Sequence, residues 1–219
     1  SSFKDKVYMS NLCQEITLPT KPIQHIDDSE GEIALCILSA INLGLIKEKD
    51  ELEELCDLSV RALDEIIDYQ EYPVQAAKIS TEARRSLGIG YIGLAHFLAK
   101  NKVKYDDKQA LKLVDEITEA FQYYLLKASN DLAQEKGKCD YFDRTKYADG
   151  ILPIDTYKKD LDDIVKRKLS YDWTTLRQNI KKHGLRHSTL SAQMPSESSS
   201  VVSNATNGVE PPRDYLSVK

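Results

Sequence analysis

The chain has 219 residues, of which 41% are hydrophobic and 30% are charged. This composition is typical of a globular protein, and the length is enough for one large domain or two small ones. The net charge is −5 and Lys and Arg form no dense stripe, which argues against nucleic acid as the main partner.

Four scattered cysteines and one apolar run bound the class of protein further. No two cysteines form a C-x-x-C pair, so zinc sites and thioredoxin-like motifs have no support. The run IALCILSAINLGLI is short for a membrane span and is interrupted by Ser39 and Asn42, and the N-terminus SSFKDK has no signal-peptide core. We therefore expect a reduced, cytoplasmic protein without a metal site, a membrane contact or direct nucleic-acid binding.

Residues 7–18 alternate between apolar and polar positions, which predicts an irregular strand or an extended loop ended by prolines. Within it, SNLCQEITLP places Asn11, Cys13 and Glu15 at alternate positions. Alternation along an extended segment directs these three side chains to one face. Two interpretations are open at this point: an edge strand with an incidental cysteine, or a reaction centre.

The middle of the chain predicts strands and long helices in turn. GEIALCILSAINLG predicts a strand near 32–39 that runs into a short helix, and apolar residues at helical spacing predict a helix over 50–69. RRSLGIGYIGLAHFLAKN predicts a strand near 85–90, a glycine turn and a helix. The longest helix is expected over 107–134, with Gly137 as its stop.

The remainder predicts shorter elements. Helices are expected near 157–168 and 172–183, the second capped by Asp172 and ended by Gly184. Alternating apolar residues predict a short strand at 187–192. Strands that alternate with helices are typical of an α/β fold with parallel strands.

GIGYIG at 88–93 matches the dinucleotide-binding pattern G-x-G-x-x-G. That pattern requires a preceding strand, a following helix and an acidic residue about 20 residues further on. The apolar strand before Gly88 is short and begins with two arginines, so the match is weak. The alternative is a tight strand-to-helix turn in which glycine lets backbones approach.

MPSESSS at 194–200 places small hydroxyl side chains after a proline. If a helix opens between Ser196 and Ser200, its first N–H groups lack intrahelical partners and favour a phosphate. A serine-rich surface loop is the alternative, and composition alone favours that loop.

Four stretches of the sequence together resemble one enzyme family. They are SNLCQEITLPT, GEIALCILSAINLG, RRSLGIGYIGLAHFLA and GLRHSTLSAQMPSESSS…SNATNGVEPPR, in order over nearly the whole chain. They resemble the catalytic barrel of the class I ribonucleotide reductase large (alpha) subunit. The first and last stretches are specific, whereas the helices between them match less distinctively.

The resemblance implies an α/β fold, namely part of a ten-stranded α/β barrel mixed with long surface helices. A central finger loop at 7–22 would carry the radical cysteine, and barrel strands and helices would occupy 32–219. The family's N-terminal cone, first half-barrel and C-terminal tail are expected to be absent. The chain is then expected to be a fragment or a split-gene product that is inactive alone.

The implied activity is reduction of ribonucleoside diphosphates to 2′-deoxyribonucleoside diphosphates by thiyl-radical chemistry. By resemblance, Cys13 would be the radical, Glu15 the base for the 3′ hydroxyl, and Asn11 a hydrogen-bond partner of the ribose hydroxyls. Cys36 would be one of two thiols that reduce the 2′ position and end as a disulfide. The substrate would contact Ser10, Asn11, Leu12, Cys13, Glu15, Pro195, Ser196, Glu197, Ser198 and Ser199, the last five at its diphosphate.

The same resemblance implies partners and no cofactor bound by this chain. A metal-containing small subunit would supply the radical, and a thioredoxin- or glutaredoxin-type dithiol would be the reductant. The rest of the large subunit, covalent or separately encoded, would complete the barrel. Two alternatives remain: a dinucleotide-binding module around Gly88–Gly93, or a helical scaffold without chemistry.

Overall fold

The computed structural model describes residues 2–48 and 50–214, so residues 49 and 215–219 of the predicted barrel segment lie outside the described residues. The strands are β1 (Met9–Ser10), β2 (Thr17–Leu18), β3 (Ile37–Asn42) and β4 (Leu87–Ile92). The helices are α1 (Glu51–Tyr69), α2 (Gln75–Arg84), α3 (Leu94–Lys100), α4 (Lys108–Lys136), α5 (Pro153–Thr156), α6 (Asp160–Val165), α7 (Trp173–His183) and α8 (Glu197–Val202). Single 3₁₀ turns occupy Leu43–Leu45, Phe142–Arg144 and Lys146–Asp149.

β3 and β4 form a parallel pair, in the register that places Ile37 opposite Leu87 and Asn42 opposite Ile92. The parallel arrangement predicted from the alternation of strands and helices is therefore confirmed. The two strands lie a few residues later than the predicted 32–39 and 85–90. The mixture of helices and strands confirms the α/β class in its coarse form.

An extended segment, residues 189–192, lies along the other side of β4, and we call it the bridge segment. The Ile89 N–H donates to the Leu190 carbonyl at 2.8 Å, and the Ala192 N–H donates to the Ile89 carbonyl at 3.1 Å. Ile89 and Ser191 form a single parallel bridge. The predicted strand at 187–192 is thus an extended segment hydrogen-bonded to β4 and not a regular strand.

Two glycines of β4 allow this close packing. A Cβ at Gly88 would lie 2.9 Å from Cys36 Sγ, and a Cβ at Gly90 would lie 2.5 Å from the Ala192 carbonyl oxygen. Only Gly93, with φ of 76°, forms the turn into α3. The dinucleotide-binding interpretation is therefore wrong, because its pattern needs the first glycine at the end of a strand, whereas Gly88 is buried within one.

α1 and α4 pack on each other and contribute more buried residues to the main core than any other pair of elements. Their apolar residues follow the predicted helical spacing, and both helices are confirmed to within two residues at each end. Gly137 ends α4 in a positive-φ conformation, as predicted. The buried side chains of these two helices include Leu52, Cys56, Val60, Leu63, Ile67, Ile117, Phe121, Leu125 and Leu132.

The shorter helices agree in part with the prediction. α7 begins where the Asp172 side chain accepts the Thr175 N–H at 2.9 Å, and it ends at Gly184. α6 is shorter than the predicted 157–168, because Lys166 turns into the left-handed region with φ of 53°.

No helix in residues 2–48 and 50–214 is long and apolar enough to cross a membrane.

A buried network of charged side chains joins α1 to Arg85, just before β4, and to His187, just before the bridge segment. Asp64 is fully buried, and its Oδ1 accepts from Arg85 Nε at 2.6 Å and from His187 Nε2 at 3.1 Å. Ser129 Oγ lies 2.9 Å from His187 Nδ1. Burial alone would raise the pKa of Asp64, but the hydrogen bonds from His187 and Arg85 outweigh it and hold that pKa well below its usual range.

Asp64→Ala is expected to destabilise the fold by about 3–5 kcal/mol, because it leaves the buried Arg85 guanidinium without its nearest carboxylate. The free energy of unfolding in urea measures this loss. Asp57→Ala on the same helix is the matched control, since its exposed pair with Arg61 contributes about 0–1 kcal/mol. Equal losses for the two variants would contradict a stabilising role of the buried network.

The network also predicts how stability depends on pH. Burial lowers the pKa of His187 below its ordinary value. As the pH falls below ~6.5, His187 is therefore protonated in the unfolded chain before it is protonated in the folded chain. The pKa of Asp64 is also lowered in the folded protein. The stability that its ionised carboxylate contributes is lost only as the pH falls further, through the pKa of Asp64 in the folded state. Both shifts therefore lower the stability in acid, and urea unfolding at neutral and acidic pH checks the sign.

Candidate active site at the 9–18 hairpin

The segment predicted as one extended face is a hairpin, in which β1 pairs antiparallel with β2. The Asn11 N–H donates to the Ile16 carbonyl at 3.1 Å, and Asn11 Oδ1 accepts the Ile16 N–H at 3.2 Å. Gln14 adopts φ of 63° within the turn. The prediction that Asn11, Cys13 and Glu15 share one face of an extended strand is wrong, because the Asn11 side chain stabilises a turn instead.

The turn still joins two of the three predicted residues. Asn11 Nδ2 donates to Glu15 Oε1 at 2.5 Å. The other carboxyl oxygen, Glu15 Oε2, is buried and has no hydrogen-bond partner among the described residues. Cys13 lies at the tip of the turn and its thiol is free and exposed. The hairpin therefore presents an exposed thiol beside an oriented carboxyl group that has one oxygen left for a ligand.

Cys36 lies directly before β3 and packs against the hairpin. It contacts a small apolar cluster, separate from the main core, that includes Ile16, Leu18 and Ala192. Burial and, to a lesser extent, the charge of Glu15 raise the pKa of Cys36 to about 12. The Cys36 thiol therefore keeps its proton at neutral pH, and it lies within the electrostatic reach of Glu15.

The serine-rich segment opens α8. Ser196 is the residue before the helix, and its hydroxyl donates to Asn207 Oδ1 at 3.0 Å. The hydroxyls of Ser199 and Ser200 donate to the carbonyls of Ser196 and Glu197. The predicted helix start between Ser196 and Ser200 is therefore confirmed, and the surface-loop alternative is wrong.

The structure brings some of the predicted site residues together and separates others. Asn11, Glu15 and Cys36 are neighbours, and the bridge segment carries Ala192 from their cluster towards Pro195. The cavities divide the group, since Asn11 lines one of about 680 Å³ with Ser10, whereas Glu15 lines another of about 280 Å³. Leu12, at the turn beside Cys13, is 96% exposed.

Sequence reasoning missed two polar residues beside Glu15. Gln122 on α4 and Ser191 in the bridge segment line the same cavity as Glu15, and Ser191 Oγ donates to Gln122 Oε1 at 2.7 Å. Neither residue belongs to a motif. Position in the chain gave the only signal, since Ser191 precedes MPSESSS by a few residues.

Comparison of this chain with known proteins identifies one family over its whole length. The family described as "Ribonucleotide reductase, barrel domain" matches residues 1–219. The chain belongs to the ribonucleotide reductase barrel-domain family. This membership confirms the resemblance carried by SNLCQEITLPT and by the serine motif.

The relatives within the ribonucleotide reductase family are named alpha subunits. Ribonucleoside-diphosphate reductase subunit alpha of Buchnera aphidicola subsp. Schizaphis graminum is 60% identical over 100% of this chain, which covers 29% of that relative. Ribonucleoside-diphosphate reductase 1 subunit alpha of Escherichia coli is 62% identical over 97% of the chain, and the subunit alpha of phage T4 is 47% identical over 99%. The chain spans less than a third of the length of these curated relatives.

Proposed function

We propose that this chain is part of the catalytic barrel of a ribonucleotide reductase large subunit that reduces ribonucleoside diphosphates to 2′-deoxyribonucleoside diphosphates. One observation carries the proposal: the Asn11–Glu15 hydrogen bond orients a carboxyl group beside an exposed Cys13 at a turn. The similarity to proteins named ribonucleoside-diphosphate reductase subunit alpha supports it over almost the whole chain. In this proposal residues 7–22 are the finger loop, and β3 and β4 are two strands of a ten-stranded barrel.

Cys13 would begin the reaction as a thiyl radical. It takes the hydrogen atom from C3′ of the ribose, so that an S–H bond forms as the C3′–H bond breaks. Glu15 accepts the proton of the 3′ hydroxyl, and Asn11 hydrogen-bonds the ribose hydroxyls while it holds Glu15 in place. The exposed position of Cys13 supports this role, because both the substrate and the incoming radical must reach its sulfur.

Cys36 would act at the next step as one of two reducing thiols. The 2′ hydroxyl leaves as water, a hydrogen replaces it, and the two thiols supply two electrons and become a disulfide. Cys13 then returns its hydrogen atom to C3′ and Glu15 returns the proton to the 3′ oxygen, which regenerates the thiyl radical and the base. The raised pKa of Cys36 supports the assignment, because a thiol that delivers hydrogen must hold its proton until it reacts.

The start of α8 would bind the substrate diphosphate at residues 195–199. The first N–H groups of a helix lack intrahelical partners, and the helix dipole favours an anion there. Ser198 adds a hydroxyl group to this helix start, whereas the hydroxyls of Ser196 and Ser199 donate to Asn207 and to the Ser196 carbonyl and would have to reorient to donate to a phosphate. The hydrogen bond from Ser196 to Asn207 supports the proposal by fixing the loop that follows the helix to its beginning.

The proposal includes partners outside this chain. A metal-containing small subunit supplies the radical, and an external dithiol of the thioredoxin or glutaredoxin type reduces the disulfide. The rest of the large subunit contributes the second thiol and completes the barrel. As part of that enzyme, the chain acts in the cytoplasm.

Glu15→Gln tests the proposed function against a scaffold without chemistry. It keeps the shape and the hydrogen bond to Asn11 but removes the base, so turnover is expected to fall ~10²–10⁴-fold. Deoxynucleotide formation by the complete enzyme, with chemistry shown to be rate-limiting, is the measurement. Glu30→Gln, at an exposed residue of the following loop, is the control. If both variants keep the parent rate, Glu15 has only a structural role.

A further inference from the structure

The cavity beside Glu15 contains two buried polar atoms without hydrogen-bond partners among the described residues. They are Glu15 Oε2 from the hairpin and Gln122 Nε2 from α4. Both side chains line this cavity of about 280 Å³ together with Thr189 and Ser191 of the bridge segment. An unpartnered buried polar atom is costly, so two of them on one cavity point to a polar group bound in that cavity.

The chemistry of the two atoms defines that group. A carboxylate oxygen only accepts hydrogen bonds, whereas an amide nitrogen only donates them. A group that satisfies both must therefore donate to Glu15 and accept from Gln122, which is what a hydroxyl or a water does. A volume of about 280 Å³ is ample for either, since one water occupies ~30 Å³ of liquid.

Ser191 anchors the Gln122 amide. Gln122 Oε1 accepts from Ser191 Oγ at 2.7 Å, and in this orientation the amide nitrogen has no hydrogen-bond partner among the described residues. Ser191 is itself held by its bridge to Ile89 in β4. The sheet therefore sets the position of the amide nitrogen through the Ser191 hydroxyl.

We propose that Gln122 is a positioning residue for Glu15: its amide and Glu15 Oε2 hold one O–H group between them, and this bridge sets the geometry of the base. The inference rests on the proposed function. The O–H group is a ribose hydroxyl or an ordered water. Besides Glu15, the titratable groups on the cavity are Lys146 and Tyr147.

Gln122→Leu and Gln122→Glu in the complete enzyme test the proposal. Gln122→Leu removes the hydrogen bond from the amide to the neutral O–H group, which corresponds to about a 2- to 10-fold effect. A fall in kcat with unchanged nucleotide binding identifies a water, whereas a matching rise in the Kd of the nucleoside diphosphate identifies a ribose hydroxyl. Gln122→Glu is expected to move the acid limb of the kcat–pH profile to higher pH, because two carboxyls on one cavity hold a proton more tightly than one.

Gln134→Leu is the control, since Gln134 lies on the same helix and is exposed. If both Gln122 variants match Gln134→Leu in kcat, Kd and pH profile, the proposal is wrong. Gln122→Glu keeps the size and shape of glutamine, so it remains a test if Gln122→Leu does not fold. Glu15→Gln, measured in parallel, separates the two proposals. If Glu15→Gln is active, Glu15 is not the base and the proposed function fails. If Glu15→Gln is inactive while both Gln122 variants behave normally, only the positioning role of Gln122 is wrong.

Discussion

Cys13→Ala is expected to abolish deoxynucleotide formation while leaving the binding of the nucleoside diphosphate nearly unchanged. The proposed radical needs a sulfur at the tip of the hairpin, and alanine provides none. No described thiol is placed to substitute, because Cys56 and Cys139 are buried in the main core and Cys36 lies beneath the hairpin. The fold is expected to tolerate the change, since Cys13 is exposed and makes little contact with the core.

Two measurements check this expectation in the complete enzyme: product formation from a labelled substrate, and equilibrium binding of the nucleoside diphosphate. Cys13→Ser is a second variant that keeps a polar side chain of similar size and is expected to be equally inactive. Cys139→Ala is the control that removes a thiol elsewhere in the chain. Appreciable turnover by either Cys13 variant would exclude the radical assignment.

Cys36→Ser is expected to fail later in the reaction. Hydrogen abstraction at C3′ can still begin, because Cys13 and Glu15 are intact, but one of the two thiols needed for the 2′ reduction is missing. The sugar radical then has no reductant. We expect the substrate to decompose and release its base, with multiple-turnover reduction lost. Serine is nearly the size of cysteine, so the apolar cluster under the hairpin should keep its packing.

Release of free base and formation of deoxynucleotide, followed together in the complete enzyme, distinguish this outcome from simple inactivation. Cys13→Ala is the comparison, since it should release no base at all. Normal multiple-turnover reduction by Cys36→Ser with an external dithiol would contradict a reducing role. An inactive variant that releases no base would also contradict it, because it would place the defect before the sugar radical.

The helical spacing of apolar residues made the large helices predictable. The apolar faces of α1 and α4 recur at helical spacing, and Gly137 and Gly184 stop α4 and α7. α2 was not predicted, because its buried residues are small or polar and give no apolar stripe. They are Ala76, Ala77, Ser80, Thr81, Ala83 and Arg84.

The residues proposed for the site stay a prediction, and their local structure differs from the predicted extended strand. Asn11, Cys13 and Glu15 alternate as residues of a strand do, but the two hydrogen bonds between Asn11 and Ile16 stabilise a turn. Contacts between distant parts of the chain were also beyond local patterns. Gln122 and Ser191 are separated by 69 residues and Asp64 and His187 by 123, so no spacing rule relates them.

The two glycines inside β4 have a consequence for how this sequence can vary over time. The smallest possible change at Gly88 adds a methyl group 2.6 Å from Leu38 Cδ2 and 2.9 Å from Cys36 Sγ, and at Gly90 it adds one 2.5 Å from the Ala192 carbonyl oxygen. The first change would displace a proposed reactant and the second would push the bridge segment off the sheet. Evolutionary drift is thus open to exposed positions such as Leu58 or Tyr69 and closed at these two, although neither glycine carries any chemistry of its own.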